Sequence, residues 1–146
     1  FRMAVLDGVL DPERSVQVGI RGSSEVIWEF SYVSGMTVFH IEDVMRDGMD
    51  AVIEKTLEVI GTGPVYVTVD VDGFDPAYAP GTGTPEVGGL TPREGLKLLR
   101  GLSGVNIVGG DVVEVAPQYD PTTVTAQLGA QMMFEILCLM AQAPKS

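Results

Sequence analysis

The stretch Val65-Tyr66-Val67-Thr68-Val69-Asp70-Val71-Asp72-Gly73-Phe74-Asp75-Pro76 constrains this chain most. It alternates β-branched and aromatic residues and closes on two carboxylates. A period of two predicts a strand with Asp70 and Asp72 on one side and Val69 and Val71 on the other. Carboxylates at the end of an apolar strand carry a large desolvation cost unless a cation or a proton compensates. Hard divalent cations such as Mg²⁺ and Mn²⁺ choose carboxylates. Two aspartates at i and i+2 can bind one ion, or one of them can bridge a pair. Asp-x-Asp-Gly is also turn chemistry, with Asp acting as a cap.

The rest of the chain alternates strands and helices around this stretch. Residues 1–10 read as the tail of a helix, closed by Asp11-Pro12. Alternation at Val16, Val18 and Ile20 predicts a strand over 15–21. A helix follows over 25–33, then a strand over 36–41 and a helix over 44–60, broken by Gly61-Thr62-Gly63-Pro64. After the central strand comes a long Gly- and Pro-rich loop, 73–90, which Phe74, Tyr78, Val87 and Leu90 should anchor. Thr91-Pro92-Arg93-Glu94 is a helix start, with Thr as N-cap, Pro at the first position and Glu three residues on. A strand over 105–115 is interrupted by Gly109-Gly110, and Asp120-Pro121 caps a final helix to about Ala143. This order implies an α/β fold: a three-layer α-β-α arrangement around a mostly parallel sheet. Four strands make a thin sheet, which hints at part of a larger one.

Charge limits the partners. The net charge of −11 argues against nucleic acid and against an anionic membrane surface. It suits cationic ligands such as metals, amines or guanidinium groups, and also plain solubility. No apolar run in the sequence reaches membrane-spanning length, and no secretory signal is visible. The single cysteine, Cys138, falls in an apolar helical pattern and reads as a core thiol, which suits a reducing, cytoplasmic setting.

In open α/β sheets, ligands bind beyond the carboxyl ends of the strands. The residues there are Arg21 and Ser23, Glu42 and Asp43, Asp70 and Asp72, and Glu114. Glu114 has apolar neighbours and needs a cationic partner, either a substrate guanidinium bound through two hydrogen bonds or an internal base such as Arg21. His40 is the only histidine and reads as a packed core or rim residue rather than a ligand.

Two known patterns fit the central strand. Its apolar run into Asp-x-Asp-Gly resembles the start of haloacid dehalogenases, in which Asp70 would be nucleophile and Asp72 general acid–base with Mg²⁺. However, Phe74 stands where that family usually has Thr, Lys97 lies inside a helix, and no suitable acidic pair follows. The second pattern is longer. Thr68-x-Asp70-x-Asp72-Gly-Phe-Asp75-Pro76-x-Tyr78-x-Pro80-Gly-Thr-Gly-Thr84-Pro85-x-x-Gly88-Gly89-Leu90, followed by Glu114-x-x-Pro117, resembles the C-terminal signature of the ureohydrolases. That family includes arginase, agmatinase, guanidinobutyrase and proclavaminate amidinohydrolase. The opening Phe1-Arg2 and the strand from Val16 to Gly22 are similar to it too, so the resemblance covers essentially the whole chain.

The resemblance implies an arginase-like fold and a site with two Mn²⁺ ions, whose shared hydroxide attacks a guanidinium carbon and releases urea. Carried over by position, Asp70 resembles the carboxylate that bridges both ions and Asp72 a ligand of one. Glu114 resembles the partner of the substrate guanidinium, and Thr84 a loop residue lining that pocket. The metal-binding His and the Asp-x-His-x-Asp cluster of the family's N-terminal half have no counterpart here, nor does the catalytic His expected just before Phe1. The chain is therefore expected to be the C-terminal half of a longer protein, with no catalytic residue of its own. A non-catalytic subunit acting in assembly is the alternative. Arg21-Gly22-Ser23 lacks the Asp that arginases carry after this Arg, so the resemblance leans to agmatinase and guanidinobutyrase, with Ser23, Ser24 and Trp28 near the distal end of the substrate. It also implies a homo-oligomer, a trimer or hexamer.

Overall fold

The computed structural model describes residues 1–22 and 25–144. They form two compact units, 1–61 and 62–146, each with its own parallel pair of strands. In the first unit, α1 (Arg2–Leu6) leads through a 3-10 turn to β1 (Val16–Ile20). Helix α2 (Glu25–Val33), β2 (Thr37–His40), α3 (Ile41–Asp47) and α4 (Met49–Ile60) follow. Strands β1 and β2 pair from Val16↔Thr37 to Ile20↔His40. The helix expected over 44–60 is two helices, broken at Gly48, whose φ of 81° lies outside the helical region. The Arg14 guanidinium donates to the Ile60 carbonyl at 2.9 and 2.7 Å, satisfying an orphan acceptor at the end of α4. His40 does pack at a rim. It hydrogen-bonds to the Tyr32 hydroxyl through Nε2, and Trp28 meets it edge-on at 5.0 Å.

In the second unit, β3 (Val65–Asp70), α5 (Pro92–Gly101), β4 (Ile107–Val113) and α6 (Val124–Gln142) form a strand pair with helices packed against it. Met132, Ile136 and Val71 are fully buried at its core. Among the described residues the strands pair two by two, β1 with β2 and β3 with β4, both parallel as the alternation of strands and helices implies. β4 continues through Gly109-Gly110, with a one-residue slip in its pairing to β3 just before them, between Ile107 and Gly109. Ile136 and the Val67 carbonyl occupy the space a side chain at Gly110 would need. The capping box at Thr91 forms as expected: Thr91 Oγ1 accepts from the Glu94 N–H at 3.2 Å, and Glu94 accepts from the Thr91 N–H at 2.8 Å. Among the described residues, α6 is one helix long and apolar enough, by length and composition, to cross a membrane. Its length was hidden by the polar residues spaced along it, and one face packs on β4 and α5.

One of those polar residues makes a testable contribution. Glu135 is only 9% exposed and takes two hydrogen bonds from Arg100, at 2.7 and 3.0 Å, and one from Gln131 at 2.9 Å. The Arg100 guanidinium holds its carboxyl below the usual glutamate value of 4.5. A carboxylate with a depressed folded pKa adds stability above its unfolded pKa, and that contribution fades as pH falls through the folded one. In the full-length protein, Glu135→Gln should therefore melt lower than the parent at pH 7. The gap between the two melting temperatures should close as the pH is taken below about 4.5. Thermal melts across pH 3 to 7 measure it.

Candidate functional site

The site is built where β3 and β4 end side by side. Their parallel register places Asp70 opposite Val113, so the residues that follow each strand emerge at the same edge. β3 stops at Asp70, and Val71–Gly73 curl into a 3-10 turn. Asp72 is therefore not a second residue on the strand face, as simple alternation predicts. It is brought beside Asp70 by the turn, and Asp70 Oδ1 accepts the Asp72 N–H at 3.0 Å. Period-two reasoning failed here because the aspartate side chain competes with the ladder for its neighbour's backbone.

The long loop then returns to this turn. The Asp75 N–H donates to the Leu90 carbonyl at 2.9 Å, and the Leu90 N–H donates to the Gly73 carbonyl at 3.0 Å. Asp75 also accepts from the Ala77 and Gly88 N–H groups, at 2.9 and 2.7 Å. Phe74 and Leu90 are buried as anchors. Tyr78 and Val87 are exposed instead, and Ala79 takes the interior position. Closing the loop brings the Thr84 hydroxyl onto Asp72, where it donates to Oδ2 at 2.7 Å.

Glu114 comes from the other strand. It directly follows β4, is exposed, and has a φ of 61°. A non-glycine residue in this left-handed region costs roughly 1–3 kcal/mol, and such residues concentrate at functional sites. A Cβ at Gly83 would lie 4.0 Å from Glu114 Oε2, so the same loop faces both Asp72 and Glu114.

The three carboxylates act on one another. Although Asp70 as a residue is exposed, its carboxyl is pushed up to about 6. Partial desolvation is the main cause, and the negative charges of Asp72 and Glu114 add to it, while the hydrogen bond from the Asp72 N–H works in the opposite direction. Such a cluster is relieved by a cation. Hard oxygen donors of this kind fit Mn²⁺ or Mg²⁺. Among the described residues, however, no group of three or more His, Cys, Asp or Glu side chains could hold a metal ion by itself. Asp70 and Asp72 can supply part of a coordination shell and need further ligands. Ser23 and Ser24, expected near the distal end of a substrate, lie outside the described residues.

Other contributors escape sequence reasoning. Thr125 is fully buried, and its Oγ1 accepts the Gly81 N–H at 2.8 Å. The Gly81 carbonyl in turn accepts the Ala116 N–H at 2.8 Å. Asp120 caps α6 as expected, although the helix starts later, at Val124. Its Oδ2 accepts the N–H groups of Thr125 and Ala126 at 2.8 and 3.2 Å. A threonine one residue into a helix has no pattern that would have revealed its contact with a loop 44 residues earlier.

Comparison with known proteins identifies the family. The sequence model of the arginase family matches residues 1–139. The chain is 50% identical to a guanidinopropionase of Pseudomonas aeruginosa, covering 98% of the chain and 46% of that protein. It is 48% identical to a mitochondrial agmatinase of Gallus gallus, covering 96% and 42% respectively. The solved structure of proclavaminate amidino hydrolase from Streptomyces clavuligerus superposes with a TM-score of 0.91 at 38% identity, over 97% of this chain and 48% of that one. The chain thus spans under half the length of the curated relatives it matches.

Proposed function

The chain belongs to the arginase family, and we propose that the full-length protein carrying it is a manganese-dependent ureohydrolase that cleaves a linear guanidino compound into an amine and urea. The observation that carries this reading is the convergence of Asp70, Asp72 and Glu114 at the shared edge of β3 and β4, with the Thr84 hydroxyl on Asp72 and Gly83 facing Glu114. In it, Asp70 and Asp72 hold manganese together with ligands from outside this chain. Bound manganese supplies Lewis-acid activation of the nucleophile at neutral pH. Glu114 pairs with the substrate guanidinium and orients it, since a carboxylate offers this cation two parallel acceptors. Thr84 fixes the rotamer of Asp72 through its 2.7 Å hydrogen bond while its loop forms the pocket wall. The same reading carries a homo-oligomer, trimer or hexamer, and a cytoplasmic location.

The substrate is of the agmatinase, guanidinobutyrase or guanidinopropionase type, as the names of the similar proteins support. Urea release by the full-length protein with Mn²⁺ should be measured on agmatine, guanidinobutyrate, guanidinopropionate and arginine. One of the first three should give the highest kcat/KM. A preference for arginine would overturn the substrate assignment, and no release from any of them would favour a non-catalytic role in assembly.

Thr84→Val keeps the shape of the side chain and removes the donor to Asp72. Loss of a residue that orients a metal ligand typically costs about 10–100-fold in metal affinity. A manganese titration of the full-length variant should show a loss in this range, reversed in Thr84→Ser.

A further inference from the structure

We propose that Thr125 is a positioning residue for the guanidinium pocket, and that it works by locking the loop 81–84 and the segment 114–116 into one unit. The proposal rests on the reading of Glu114 and Asp72 given above, and its physical basis is a chain of hydrogen bonds through Gly81. The Gly81 N–H is held by Thr125 Oγ1 at 2.8 Å, and its carbonyl holds the Ala116 N–H at 2.8 Å. Gly81 therefore joins the start of α6 to the segment that carries Glu114. Three residues on, Thr84 reaches Asp72.

The lock is buried and close-fitting. Thr125 and Asp120 are 0% and 5% exposed. A Cβ at Gly81 would sit 2.4 Å from Asp120 Cβ and 3.0 Å from Thr125 Oγ1, so only glycine can approach α6 this closely. A buried polar contact without competing water has one favoured geometry. Glu114 needs such a brace, because its φ of 61° would otherwise relax toward the ordinary regions. Ala116, two residues beyond it, is the point at which the brace is applied. Thr125 is fully buried and reaches the pocket only through Gly81. It acts by holding the carboxylate of Glu114 at a fixed distance from the Asp70–Asp72 turn.

The test compares Thr125→Val, which keeps the shape and loses the acceptor, with Thr125→Ser, which keeps the oxygen, both in the full-length protein. Hydrogen exchange is the first readout. In Thr125→Val the amides of 79–86 and of 114–118 should both exchange at least about tenfold faster, and in Thr125→Ser neither should. A rise confined to the first segment would overturn the proposal, because Glu114 would then not depend on the lock. Kinetics are the second readout, using whichever of agmatine, guanidinobutyrate or guanidinopropionate the parent turns over best. Measured at saturating Mn²⁺, so that any loosening of Thr84 on Asp72 does not enter, KM should rise by at least about tenfold in Thr125→Val, and Thr125→Ser should restore it. Unchanged KM under these conditions would overturn the proposal. If the parent releases no urea, the ureohydrolase reading fails by itself and the exchange result still decides the lock. If Thr125→Val does not fold, Thr125→Ala removes the same acceptor without adding bulk and is read in the same two ways.

Discussion

Replacing Asp70 with alanine in the full-length protein is expected to lower manganese-dependent urea release by at least about 10³-fold. Residues that merely orient a ligand account for about 10–100-fold, and a carboxylate that touches the metal directly should exceed this. Two further results should accompany the loss. Thermal stability without metal should hold or improve, because the variant removes a carboxyl that desolvation and its neighbours Asp72 and Glu114 push up to about 6. Stabilisation by added Mn²⁺ should shrink, since a ligand that binds only the folded state raises its stability in proportion to affinity. Calorimetric scans with and without Mn²⁺, set beside the urea assay, separate these effects. An Asp70→Ala variant as active as its parent would remove this aspartate from the site.

The second large effect concerns Glu114. Breaking a hydrogen-bonded charge pair by removing one partner costs about 2–5 kcal/mol. Glu114→Gln should therefore lower kcat/KM for the guanidino substrate by about 10²–10³-fold, with Mn²⁺ affinity nearly unchanged. Glu114→Gly should lose as much activity yet melt no lower than the parent. Glycine adopts a φ of 61° without a steric penalty, and the substitution also removes one of the charges that repel Asp70. Activity lost while stability is kept marks a residue held in a strained conformation for function. If Glu114→Gly melts well below the parent, Glu114 serves the fold, and its placement in the pocket is wrong.

Much of this site can be read from the sequence, and the parts that cannot have identifiable causes. Asp70, Asp72 and Glu114 are visible as carboxylates at the ends of apolar strands, where desolvation makes a charge conspicuous. The parallel alternation of strands and helices places those ends together, and the pairing of β3 with β4 does so in fact. Local hydrogen-bond competition was not visible. Asp70 bonds to the Asp72 N–H and turns the chain out of the strand, so the two aspartates meet by a turn and not by strand periodicity. Backbone conformation was not visible either: nothing in Asp111-Val112-Val113-Glu114 announces a left-handed glutamate. The break at Gly48 had a glycine to mark it, but the flanking apolar spacing continued through it and masked it. Thr125 is the clearest case, because its role depends on a loop 44 residues away and on the missing side chain of Gly81.

The α/β fold with parallel strand pairs followed from alternation, and the partner of each strand comes from the structure. Strand order depends on which strands find partners, and here β1 pairs with β2 and β3 with β4 in two separate units. The similar proteins are about twice as long as this chain. The proposed metal shell is likewise only partly supplied by it, with two carboxylates where a closed site needs more ligands.

We propose that this edge of carboxylates works with manganese to hydrolyse a guanidino compound. Manganese content and urea release, followed on one sample of full-length protein during a metal titration after chelation, test it most directly. The chelated protein should release no urea, and the rate should rise with bound Mn²⁺ to a plateau at two ions per chain. Full urea release from metal-free protein, or two bound ions with no urea from any of the guanidino compounds, would contradict it.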